Sequence, residues 1–217
     1  MIFKRKVQKS KVFCVGLNKT GTTSLEKEMM DFGYSVGNQM DGTRLTNDWK
    51  KREFSRIIKL AKTADFFQDA PFSYPFTYVI MDHFFPKSKF ILTIRDNSEQ
   101  WTDSLTKFHS KLWGDGKNPL SKEELLNAPG IYPGFRYDVI KSLFDVTDDD
   151  LYNKRVLRNY YNQHNNNVKE YFRHRPNDLL ILNISKPTAY IELCDFLNEK
   201  PRKTTFSWEN KTADIKK

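Results

Sequence analysis

The chain has 217 residues, 38% of them hydrophobic, which suffices for one substantial core and argues for a single domain. Lys and Arg number 36 against 27 Asp and Glu; the formal charge of +9 is partly carried by the lysine-rich first eleven residues and the tail from Lys200 to Lys217, so an anionic partner is expected. No apolar run approaches a membrane span, the basic first segment is no secretory signal, and two cysteines give neither a disulfide framework nor a metal spacing. The expectation is therefore a cytoplasmic protein in which Cys14 and Cys194 are buried thiols.

Lys11 to Val15 reads as a buried strand, followed by the tight loop Gly16-Leu-Asn-Lys-Thr-Gly21 and the helix start Thr22-Thr-Ser24. The two glycines have phosphate-loop spacing, but the ATP-type loop G-x-x-x-x-G-K-[ST] has lysine after its second glycine. Here Thr22 follows Gly21, and the lysine, Lys19, lies inside the loop. Hydroxyls of Thr20, Thr22, Thr23 and Ser24, with N–H groups at Gly21 and the helix start, can surround an anion, because a helix N-terminus carries unpaired donors and positive partial charge.

Leu25, Met29 and Phe32 recur at helical spacing, and Gly33 closes that helix. A short strand is expected at 34–36, a helix over 45–62, a third strand at 64–68 ending on Asp69, and a helix over 74–85 between two prolines. Lys89 to Ile94 gives a further strand ending in Arg95. Asp96-x-x-Glu99 has the form of a capping box for a helix bearing Trp101, Leu105, Phe108 and Leu112. Glycine and proline break up 113–150 into a stretch too long for an ordinary connection, expected as an irregular helical insertion and a substrate lid. A helix over 148–174, a strand at 179–183 and a helix over 190–197 complete the chain. Strands alternating with helices imply an α/β fold, three-layer αβα around a central parallel sheet and P-loop-NTPase-like, in which ligands bind beyond the carboxyl ends of the strands.

The segment Lys19-Thr-Gly-Thr-Thr23 resembles the K-x-G-T-T loop of the sulfotransferases, followed by Ser24. Arg95 and, on the next helix, Ser104 resemble that family's arginine and serine for a 3′-phosphate, although Ser104 stands nine residues after Arg95 where eight is usual. One inserted residue between Asn97 and Gln100 would account for the offset, and Asp103 occupies the usual position. Gln68-Asp-Ala-Pro71 aligns with the end of the K-T-H-L-P segment of the cytosolic branch, with Asp69 where that branch has histidine. The resemblance covers about residues 11–210. It implies a single sulfotransferase-like domain over that span, with a basic arm at 1–10 and a tail at 211–217. It further implies transfer of a sulfuryl group from 3′-phosphoadenosine 5′-phosphosulfate (PAPS) to a hydroxyl or amine of a small-molecule or glycan acceptor. Adenosine 3′,5′-bisphosphate (PAP) is then the product, and neither a metal nor nucleic acid is required.

In that reading Lys19 serves the transition-state charge, Asp69 is the general base, and the loop, Arg95 and Ser104 hold the donor. Asp69 could equally cap the turn that follows or hold a metal, and an unperturbed carboxylate is a weak base at neutral pH. Two other functions remain open: an ATP- and Mg-dependent kinase or NTPase, and a non-catalytic nucleotide or nucleic-acid binding module. His164 reads as a core residue, and His83 and His109 carry no assigned role. Phe66, Phe67, Phe72, Tyr74, Phe76 and Tyr78 bracket Asp69 as candidate pocket walls, and Lys186 and Lys211 are candidate donor contacts in late loops.

Overall fold

The computed structural model describes residues 9–206. Four parallel strands, β1 (Val12–Cys14), β2 (Phe66–Phe67), β3 (Lys89–Thr93) and β4 (Leu179–Leu182), form one sheet in the order β2-β1-β3-β4. Ten helices surround it among the described residues: α1 (Thr22–Asp31), α2 (Gln39–Arg44), α3 (Thr46–Lys50), α4 (Ser55–Ala61), α5 (Thr77–Phe84), α6 (Ser98–Trp113), α7 (Lys122–Asn127), α8 (Phe135–Leu143), α9 (Lys154–Tyr171) and α10 (Ala189–Leu197). The α/β class and the parallel sheet agree with the sequence reading. None of these helices is long and apolar enough to cross a membrane.

Both faces of the sheet are covered except at the edge strand β4, where Ile181 is exposed, and successive strand residues point to opposite sides. Phe13, Val15, Phe67, Phe90 and Leu92 pack on one face with Trp49, Ile57, Met81 and Phe172. Val12, Cys14, Phe66, Ile91 and Leu182 pack on the other with Leu25, Met29, Tyr190 and Leu193. A third cluster joins Leu17, Trp101 and Leu105 to Leu125, Ile140, Phe144, Leu157 and Tyr161, so α7 and α8 are packed onto α6 and α9.

Three expectations change. The strand at 34–36 is reduced to a single parallel bridge between Val36 and Phe66. The helix over 45–62 is two helices, α3 and α4, because Arg52 adopts a left-handed φ of 62° that cannot continue a right-handed helix. The cap of α6 is Asn97, whose side chain accepts from the Gln100 N–H at 2.8 Å; Asp96 instead accepts from Asn183 Nδ2 at 2.7 Å.

After β1 the chain crosses to β2 on one side, and after β2 it crosses to β3 on the other. The loop following β1 therefore opens at the switch point of the sheet, where the connections diverge and leave a crevice.

Candidate active site

The loop from Val15 to Gly21 is held from outside by its carbonyls. His164 Nε2 lies 2.8 Å from Val15 O, Trp101 Nε1 donates to Asn18 O at 3.0 Å, and Arg95 Nε donates to Lys19 O at 2.7 Å. The buried Thr20 hydroxyl contacts Leu17 O and, at 2.6 Å, Thr93 Oγ1. Gly16 is required by this packing, since a Cβ there would lie 2.1 Å from Thr93 Oγ1. Gly21 opens α1 with φ 103°, no side chain caps it, and a Cβ would meet Ile184 Cδ1 at 2.2 Å. Gly21, Thr22 and Thr23, at the start of α1, border the space beyond the sheet, where a helix N-terminus offers unpaired N–H groups.

That space is a cavity of about 530 Å³ lined by Lys19, Gly21, Thr22, Thr23, Asp69 and Arg95. They come from the carboxyl ends of β1, β2 and β3, as the sequence reading required. Thr20, Ser24 and Ser104 do not line it. Thr20 is tied into the loop's own support, and Ser24 is buried on α1. Ser104 is half-buried on α6, about 60° around the helix from Trp101, beside the stripe of Trp101, Leu105, Phe108 and Leu112 that does face the cavity. Asp103 points the other way and pairs with Lys154 at 3.1 Å.

Asp69 sits at φ 53°, and Gln39 Nε2 donates to its Oδ2 at 2.7 Å while its buried Oδ1 has no hydrogen-bond partner. Burial pushes the Asp69 carboxyl up to about 6; the Glu26 charge adds to this, and the Thr22 hydroxyl and Lys19 ammonium oppose it. Lys19 also has a left-handed φ, 67°, and its ammonium stands 3.7 Å from the centre of the Phe108 ring. Burial, then the neighbouring Arg95 charge, lowers Lys19 to about 8. Burial likewise lowers Arg95. Neither Lys19 nor Arg95 is within ion-pair distance of a carboxylate among the described residues. Unpaired cations converging on one cavity with a helix N-terminus make a site for a multiply charged anion.

The family then follows from the whole chain. A family model described as a sulfotransferase domain matches residues 11–215. The chain belongs to the sulfotransferase domain family. No curated protein matches the sequence. Membership gives the chemistry in general terms, transfer of a sulfuryl group, on a fold of the P-loop-like α/β type.

The remaining walls of this sulfotransferase cavity lie mostly outside the expected aromatic segment. Phe66, Phe67, Phe72 and Tyr78 are core residues and Phe76 is exposed; of the six aromatics only Tyr74 reaches the cavity. The apolar walls come instead from α6, with Phe108, Leu112 and Trp113, and from α8 and the residue after it, with Phe135, Val139 and Phe144. Arg136, Gln39 and His109 line it as well and were not marked by any motif. Gln39 was legible only as a polar residue after a short strand. His109 is bonded through Nδ1 to Tyr152 OH at 2.8 Å, and burial lowers its pKa to about 3, so it is neutral at ordinary pH. His164 is the core residue expected, lowered to about 4 by burial, and His83 is exposed on α5. Lys186 lies 3.6 Å from Asp96 and is not in the cavity wall; Lys211 falls outside the described residues.

Proposed function

We propose that this sulfotransferase takes its sulfuryl group from PAPS and gives it to a hydroxyl or amine held against the apolar walls of α6 and α8. The observation that carries the donor reading is the convergence of Lys19, Arg95 and the Gly21 helix start on one cavity, with neither cation within ion-pair distance of a carboxylate among the described residues. Lys19 supplies positive charge to the oxygen between sulfur and phosphorus, where negative charge grows as that bond breaks. Arg95 presents a planar fork suited to the 3′-phosphate, with its Nε fixed on Lys19 O. Asp69 takes the acceptor proton as the new bond to sulfur forms, and PAP departs with the electron pair of the broken S–O bond. Its raised pKa makes it a better base than an exposed aspartate, and Gln39 fixes one oxygen so that the other is available. Thr22 and Thr23 complete the cradle; Ser104 lies at the flank of the α6 stripe, outside the cavity wall, and its role as a second 3′-phosphate contact rests on its place after Arg95 in the family pattern. The segment 113–150, through α8, closes the acceptor side of the domain, which spans 11–210.

Thermal stabilisation by PAP and by ATP, each with Mg²⁺ and with EDTA, tests the donor. A ligand bound only by the native state adds about 2.7 kcal/mol at a hundredfold excess over Kd. PAP is expected to stabilise the protein in EDTA. Stabilisation by ATP with Mg²⁺ and none by PAP would replace this reading with a kinase or NTPase.

A further inference from the structure

Arg136 is the third cation of the cavity, and neither the loop chemistry nor the donor phosphates account for it. It projects from α8, in the insertion, whereas Lys19 and Arg95 come from the sheet edge. Its guanidinium carbon stands 4.6 Å from the centre of the Trp113 ring and 5.3 Å from that of Phe135, and its Nε donates to Pro129 O at 2.9 Å. Two ring contacts and a backbone anchor fix its direction. No carboxylate pairs with it among the described residues, and its two terminal nitrogens have no hydrogen-bond acceptor there. Burial lowers its pKa, so the protein holds this charge at a cost that a bound anion would offset. Arg136 acts electrostatically on Tyr74 and His109, which also feel Asp69 and Lys19 respectively, so it belongs to the same charged enclosure as the reacting groups. The apolar side chains of Phe108, Leu112, Val139 and Leu143 line the same cavity.

We propose that Arg136 binds an oxyanion on the acceptor, so that the acceptor is an apolar or aromatic compound with a hydroxyl or amine at one end and an anionic group, such as a carboxylate, at the other. The apolar walls cover its body, and the two ends reach Asp69 and Arg136. A neutral acceptor leaves the half-buried guanidinium without an anionic partner and binds less well. This inference rests on the sulfuryl-transfer reading of the cavity.

Titration calorimetry on the full chain saturated with PAP, using 3-(4-hydroxyphenyl)propanoate and 10-hydroxydecanoate against their methyl esters, tests it. Each acid is expected to bind about tenfold or more tightly than its ester, the effect of one charge-assisted contact. Arg136→Gln should erase that difference, and Arg136→Lys should keep part of it, while both retain the stabilisation by PAP. Equal binding of acid and ester, no binding of either, or a preference that survives Arg136→Gln would overturn the proposal. Loss of PAP stabilisation in Arg136→Gln would also overturn it, by assigning Arg136 to the donor. If PAP fails to stabilise the wild type, the donor reading falls, and the same titrations without PAP still decide what Arg136 binds. Should Arg136→Gln not fold, reduction of the preference in Arg136→Lys carries the test.

Discussion

The Lys19 ammonium lies 3.7 Å from the centre of the Phe108 ring, a cation held against an aromatic face inside a cavity. The ring face helps to hold the lysine in the enclosure, where the Asp69 charge also acts on it. Its lowered pKa of about 8 and the raised value of about 6 at Asp69 then define a window. In the proposed mechanism Asp69 must be deprotonated, so kcat/KM for PAPS should rise as pH passes through about 6. The cation must be protonated, so it should fall as pH passes through about 8. Asp69→Asn should remove the acidic limb and lower turnover by about 10² or more, and Lys19→Arg should move the basic limb upward, since guanidinium stays protonated. A pH–rate profile for the wild type that is flat across this window would remove both residues from their roles.

On the proposed reading, Arg95→Ala should raise the KM for PAPS far more than it lowers kcat, because a contact with the 3′-phosphate would be made equally before and during transfer. The same variant should lose its discrimination between PAP and adenosine 5′-phosphate. Since Arg95 Nε also holds Lys19 O, a modest fall in kcat is expected with it. Wild-type binding that is indifferent to the 3′-phosphate would exclude Arg95 from this contact.

Thr20 offers a contrast with Thr22, its neighbour across Gly21. The Thr20 hydroxyl is enclosed and bonds both Leu17 O and Thr93 Oγ1, whereas Thr22 lines the cavity. Thr20→Val leaves two buried polar atoms short of a partner, at a cost of about 1–3 kcal/mol, and each kcal/mol lowers Tm by about 2–4 °C in a chain of this size. Thr22→Val should weaken PAP binding with a smaller change in Tm. Melting curves with and without PAP separate the two, and equal Tm values for Thr20→Val and wild type would refute the supporting role.

These outcomes mark what the sequence could carry. Strand β1, the Gly16–Gly21 turn, β3 and Arg95 were legible because continuous apolar runs ending in glycine or charge have few alternative folds. The break at Arg52 was not, since Lys50-Lys-Arg-Glu53 offers no glycine or proline to mark a left-handed residue. The different settings of Thr20 and Thr22 were not legible, because side chains on one loop share a sequence signature whether they face a cavity or the strand beside them. Arg136 and the walls of α8 were out of reach for a different reason. Their role depends on how the insertion packs on α6 and α9, and no local period encodes that contact.

The offset of Ser104 from Arg95 resolves into a register test. With Asn97 as the cap, α6 begins one residue later than a cap at Asp96 would have it, and Ser104 rather than Asp103 falls beside the cavity-facing stripe. Asp103 is exposed and paired with Lys154, a contact worth little at a surface. Ser104→Ala should therefore weaken PAP affinity severalfold, while Asp103→Ala should leave it unchanged or, by removing a negative charge near a phosphate, raise it slightly. Titration of both variants with PAP checks this. Weaker binding in Asp103→Ala together with normal binding in Ser104→Ala would mean that α6 presents the opposite flank to the donor.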